Sequence, residues 1–134
     1  MDVQQLVNTI RRKSSFLCVG LDPDPDKMPQ HLGAGPEAVL RFNRAIIDAT
    51  ADLAVAYKPN VAFYEAMGSV GWDVLSKTLE AIPEGCLRIA DAKRGDIGNT
   101  ATRYAQAAFE QWGADAVTVA PYMGRDSVEP FLAF

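Results

Sequence analysis

Apolar positions along the chain follow two rhythms, a helical one and a continuous one, and they alternate. Val3, Leu6, Val7 and Ile10 recur at helical spacing, with Arg11, Arg12 and Lys13 after them at the negative pole of the helix dipole. Residues 15–22 (Ser-Phe-Leu-Cys-Val-Gly-Leu-Asp) form an unbroken apolar run closed by an acid, the pattern of a strand buried on both faces. A proline-rich segment follows, with Pro23, Pro25 and Pro29, and predicts a loop. Pro36 stands at the first position of a long helix whose inner face is expected to carry Val39, Phe42, Ile46, Ala49 and Leu53.

The rhythm then repeats. Residues 54–60 (Ala-Val-Ala-Tyr-Lys-Pro-Asn) predict a short strand stopped by its proline. Phe63, Tyr64 and Met67 are expected to pack, and the next helix places Val74, Leu75, Thr78, Leu79 and Ile82 inward. Pro83-Glu84-Gly85 turns the chain into a strand beginning at Leu87. Residues 100–112 predict a helix with Tyr104, Ala105, Ala108, Phe109 and Trp112 on one side and Gly113 as its stop. Residues 116–121 make a fourth buried strand, and Asp126 or Ser127 is expected to cap one more helix through Val128, Phe131 and Leu132. Four apolar strands alternating with helices imply right-handed βαβ units and a parallel sheet. A complete parallel barrel needs about 250 residues. This chain has 134, enough for the first four βα units behind a short N-terminal helix, and we treat it as a single domain over residues 1–134.

Charge changes the picture in one respect. A net charge of -4 and a pI near 4.9 argue against nucleic acid or an anionic membrane as partner. No apolar run approaches membrane-spanning length, and the N-terminal stretch does not follow the order of a signal peptide. Cys18 and Cys86 each lie in an apolar run and are expected to be reduced core residues, as in a cytoplasmic protein. Asp22, Asp24 and Asp26 alternate in the proline-rich loop without a nearby cysteine. They are expected to be solvated rather than to hold a metal, and His31 to lie on the surface.

The charged residues inside apolar strands are more informative. In Leu87-Arg88-Ile89-Ala90-Asp91-Ala92-Lys93-Arg94-Gly95-Asp96-Ile97-Gly98, Asp91 and Lys93 stand two apart and point to the same face of a strand. Lys93 lies between Asp91 and Asp96, so carboxylates on both sides are expected to hold it as an ammonium. A plain strand-end ion pair accounts for that spacing equally well. Asp22, Lys58, Asp91 and Lys93, however, all fall at the C-terminal ends of predicted strands, the active face of a parallel barrel. Solvated charges would not favour one end.

Asp91-Ala-Lys93-Arg-Gly-Asp96-Ile-Gly resembles the signature of the orotidine 5'-monophosphate decarboxylase family, in the wording of its bacterial subgroup. Val19-Gly20-Leu21-Asp22-Pro23, Tyr57-Lys58-Pro59-Asn60 and Thr118-Val119-Ala120-Pro121-Tyr122 are similar to that family's other strand ends, in its order. The resemblance implies a (β/α)8 TIM barrel of which this chain is the N-terminal half. It further implies a cofactor-independent lyase with a nucleotide substrate and a homodimer that shares its active sites. Lys58, Asp91, Lys93 and Asp96 would form an alternating charge tetrad with Lys93 as proton donor. Asp22 and Lys58 would hold the ribose hydroxyls, with Asn60 close by. Asp96 would reach into the partner's site, with Ile97 and Thr100 beside it.

The resemblance also implies a phosphate grip after the seventh and eighth strands, which these residues do not include. The chain alone is therefore expected to be inactive or barely active, since lost remote binding energy falls on turnover as well as affinity. Two other readings stay open at this level. One is a magnesium-dependent sugar-phosphate decarboxylase or aldolase of the same superfamily, against which Lys58 before Pro59-Asn60 and the Arg94-Gly95 pair argue. The other is a non-catalytic half-barrel.

Overall fold

The computed structural model describes residues 1–134. The elements are α1 (Val3–Lys13), β1 (Leu17–Leu21), α2 (Pro36–Thr50), β2 (Ala54–Pro59), α3 (Val61–Glu65), α4 (Ser69–Ala81), β3 (Leu87–Arg94), α5 (Gly98–Gln106) and β4 (Ala116–Val119). The strands form one sheet in the order β1-β2-β3-β4, and every pairing is parallel. Consecutive parallel strands joined by helices bring all four strand C-termini to one rim.

The main core lies between the sheet and helices α2 and α4. Val74, Leu75, Thr78, Leu79 and Ile82 are all buried, as their spacing predicts, and they meet Leu21, Tyr57, Val39 and Ile47. Tyr64 is buried too, and its hydroxyl donates to the Leu21 carbonyl at 3.2 Å, which ties α3 to the end of β1. At the opposite end of the strands Lys13 donates to the carbonyls of Ala51 and Ala54 at 2.6 and 2.7 Å. Those bonds dock α1 against the start of β2.

Four expectations need correction. Helix α2 buries Ala38, Val39, Leu40, Asn43 and Ile47, whereas Ala49 and Leu53 are exposed. The face is rotated because polar Asn43 is an inward residue: its amide donates to the Tyr64 hydroxyl and to Thr78 Oγ1, both at 3.0 Å. Hydrophobic spacing cannot register a buried asparagine whose donors are satisfied. Strand β1 is largely exposed and Cys18 with it, because β1 is an edge of the open sheet; Cys86 alone is a core thiol. The helix expected over residues 100–112 begins earlier, at Gly98, and continues after Gln106 as a π-helical turn, Ala107–Gln111. The helix expected after Asp126 is instead a series of short 3-10 turns. There Ser127 Oγ donates back to the Gly124 carbonyl at 2.7 Å, so it does not act as a capping acceptor.

Candidate functional site

Asp91 is the centre of the rim. It is 7 % exposed, and such a carboxylate needs partners to remain charged. It has three: Oδ1 accepts from Lys93 Nζ at 2.6 Å and from Thr118 Oγ1 at 2.8 Å, and Oδ2 accepts from Lys58 Nζ at 3.0 Å. Burial acts to raise the Asp91 pKa, but the donors from Lys93, Thr118 and Lys58 outweigh it and bring the value down to about 2. Lys58 responds in the opposite direction. Its hydrogen bond to Asp91 raises its pKa against a smaller opposing effect of burial, so it stays an ammonium. Two ammonium groups around one carboxylate leave this trio with a single net positive charge.

The expected same-side placement of Asp91 and Lys93 is present, but a regular strand does not produce it. Lys93 has φ +49°, in the left-handed region that side chains other than glycine seldom occupy. The β3–β4 register shifts between Ala90 and Arg94, and the Lys93 N–H leaves the ladder to donate to Thr118 Oγ1 at 3.0 Å. The Lys93 side chain is 62 % exposed against 8 % for that of Asp91. Its ammonium therefore lies over the carboxylate at the open mouth of the rim.

Asp22 follows β1 and Asn60 follows β2 on the same rim. Asn60 Nδ2 donates to Asp22 Oδ2 at 3.3 Å, while Asn60 Oδ1 accepts from the Ala62 N–H and caps α3. Asn60 also faces Asp91 in an isolated parallel bridge. Lys58, Asn60, Asp22, Asp91 and Lys93 are thus contiguous. Asp96 does not join them within this chain. Its carboxylate accepts from the Ile97 N–H at 2.7 Å, and Lys93 has an acidic partner on one side, Asp91, instead of two. The glycine turn after β3 carries Asp96 away toward the start of α5. There Ile97 is 59 % exposed and the Thr100 N–H donates to Asn99 Oδ1. In the loop after β1, Asp24 pairs with Lys27 at 2.8 Å and His31 is exposed.

Thr118 and Arg94 stand in motifs quoted from the sequence, but their contacts at the site were not foreseen there. Thr118 is one polar residue in an apolar strand, and only the register of β4 on β3 sets its hydroxyl beside Asp91. Arg94 makes an ion pair with Glu65 on α3 and lies over the Tyr104 ring of α5, 5.4 Å from its centroid. Those contacts secure the strand end from which Lys93 projects. Gly95 is required immediately after it, because a Cβ there would stand 2.5 Å from the Ala120 carbonyl oxygen.

Residues 15–133 match the family described as Orotidine 5'-phosphate decarboxylase / HUMPS. The whole chain is 60% identical to the orotidine 5'-phosphate decarboxylase of Flavobacterium johnsoniae and 56% identical to that of Bacteroides fragilis, covering 50% of each. Among solved structures, the Leishmania donovani OMP decarboxylase superposes with a TM-score of 0.86 at 41% identity, over 98% of this chain and 48% of that one. The Leishmania donovani UMP synthase gives the same score at 42% identity, over 97% of this chain and 27% of that one. The chain spans about half the length of the curated relatives it matches. Its parallel sheet, with helices between the strands, corresponds to about half of their TIM barrel. With 119 consecutive residues, 15 to 133 inclusive, within the family's pattern, the chain belongs to the orotidine 5'-phosphate decarboxylase family.

Proposed function

We propose that the protein carrying this rim converts orotidine 5'-monophosphate to uridine 5'-monophosphate, the last step of de novo pyrimidine synthesis, without a cofactor. The bond from C6 of the pyrimidine to the carboxylate breaks, carbon dioxide leaves, and the electron pair stays on C6. Lys93 Nζ stabilises that charge as it develops and then transfers a proton to C6. Asp91 holds the ammonium in place, Lys58 completes the charge array, and Asp22 with Lys58 and Asn60 receives the ribose hydroxyls. Asp96, Ile97 and Thr100 serve the site of a second subunit in a homodimer, a role that agrees with the exposure of Ile97 and with the separation of Asp96 from Lys93. We place the enzyme in the cytoplasm, in keeping with Cys86 as a free, buried thiol.

The observation that carries this reading is the Lys93 ammonium 2.6 Å from a buried carboxylate that Lys58 also contacts. Repulsion alone falls short of the barrier lowering required. Two unit charges about 4 Å apart at an effective dielectric near 20 interact by about 4 kcal/mol. Enzymatic rate enhancements require roughly 8–23 kcal/mol, so repulsion between Asp91 and the substrate carboxylate is too small to be the main contribution. The net positive charge of the trio weakens that repulsion further. The relatives are named for the pyrimidine reaction, and nothing in the geometry favours the metal-dependent sugar-phosphate alternative over it.

To test the proposal, the chain is joined to the remaining half of the Flavobacterium johnsoniae relative and assayed for uridine 5'-monophosphate formation. Turnover is expected, and Lys93→Ala should abolish it while leaving nucleotide binding measurable by titration calorimetry. Unchanged turnover in Lys93→Ala would remove that lysine as proton donor.

A further inference from the structure

We propose that Thr118 is a positioning residue for this site: its hydroxyl bridges the Asp91 carboxylate and the Lys93 backbone and so sets where the ammonium stands. The inference rests on the decarboxylation reading above and names a residue outside the charge array. One hydroxyl makes both contacts, donating its proton to Asp91 Oδ1 at 2.8 Å and accepting the Lys93 N–H at 3.0 Å. A hydroxyl has one donor and spare acceptor capacity, so the two roles are compatible.

The location gives the bridge its significance. Lys93 is in a left-handed backbone conformation, which for a non-glycine residue persists only when its surroundings enforce it. Thr118 supplies the side-chain acceptor for that residue's N–H, from the neighbouring strand. The same oxygen is bonded to the carboxylate that receives the Lys93 ammonium. The backbone and the charged tip of Lys93 are thus referred to one point on β4, and a long, rotamer-rich side chain that is 62 % exposed acquires a defined position. Around Asp91 the charged groups are Lys58 from β2 and Lys93 from β3, with Asp22 beyond β1 acting on Lys58. Strand β4 (Ala-Val-Thr-Val) contributes no charge, only this hydroxyl.

The test compares Thr118→Val, which keeps the shape and removes the hydroxyl, with Thr118→Ser, which restores it. In the joined barrel, Thr118→Val should lower kcat by roughly tenfold to a hundredfold with little change in KM. The acid limb of its pH profile should move to higher pH, because Asp91 loses a donor to its charged form. Thr118→Ser should recover most of kcat. In the 134-residue chain itself, the Asp91 carboxyl followed by carbon-13 NMR should titrate at higher pH in Thr118→Val than in the unsubstituted protein. That second readout needs no turnover. If the unsubstituted barrel forms no product, the decarboxylation reading fails, and with it Thr118's role in the reaction, whatever the NMR shows. If the barrel is active but Thr118→Val leaves kcat and the Asp91 titration unchanged, or if serine restores nothing, the positioning role is overturned and the reading of the site stands.

Discussion

Asp91 is a nearly buried carboxylate that three donors hold in its charged form, and its stability contribution therefore depends on pH. Its pKa lies at about 2 in the folded chain against an ordinary 3.8. A folded-state value below the unfolded one contributes stability that is complete above the ordinary value and is lost as pH falls through about 2. The difference corresponds to about 2 kcal/mol. Urea unfolding between pH 6 and pH 2 should show the unsubstituted chain losing roughly that much more stability than Asp91→Asn, which has no carboxylate to titrate; parallel losses would mean that the trio does not stabilise the fold. Asp91, Lys93 and Lys58 were legible in the sequence because charge inside an apolar run is conspicuous. The bridging role of Thr118 was not, because a threonine in a strand is ordinary and its value comes from the strand next to it.

At the scale of elements, strand and helix types followed from periodicity, while the details of orientation did not. Helix α4 shows its expected face, since all its inward residues are apolar or, as with Thr78, partnered. Helix α2 does not, because Asn43 occupies an inward position in a buried hydrogen-bond group with Tyr64 and Thr78. The junction between α3 and α4 offers a sharp test. A Cβ on Gly71 would fall 1.8 Å from the Tyr64 carbonyl oxygen, whereas one on Gly98 meets nothing within 4 Å. Helix propensity alone favours alanine at both by up to about 1 kcal/mol. We expect Gly71→Ala to destabilise by about 1–3 kcal/mol despite that preference. Gly98→Ala should be neutral or slightly stabilising, and thermal unfolding of the two variants side by side distinguishes them. Equal melting temperatures would show that α4 can move off α3 without penalty.

For the whole molecule, the open sheet has β1 and β4 as its edges, with unpaired backbone groups along each. Large apolar side chains lie exposed near both: Phe16 is 86 % exposed just before β1, and Tyr122, just after β4, is 97 % exposed. Exposed apolar surface next to free strand edges promotes association. The 134-residue chain by itself should therefore self-associate and bind a hydrophobic dye, as read by light scattering and fluorescence. Joining it to the remaining half of the Flavobacterium johnsoniae relative should suppress both signals. A monodisperse isolated chain with no dye binding would show that these edges are already protected.

From the amino-acid order alone came the alternation of strands and helices, the parallel sheet, and the grouping of Asp22, Lys58, Asp91 and Lys93 at one rim. These follow from local rules: apolar runs make buried strands, and parallel strands align their ends. Tertiary structure decided which charges meet. It turned Asp96 away from Lys93, linked Asn60 to Asp22, exposed Cys18 at a sheet edge and brought the Thr118 hydroxyl between Asp91 and the Lys93 backbone. The Asn60 and Thr118 contacts depend on strand register, the exposure of Cys18 on the place of β1 at the sheet edge, and the position of Asp96 on the turn after β3. Register and strand order are set by contacts between segments distant along the chain, which no local pattern records.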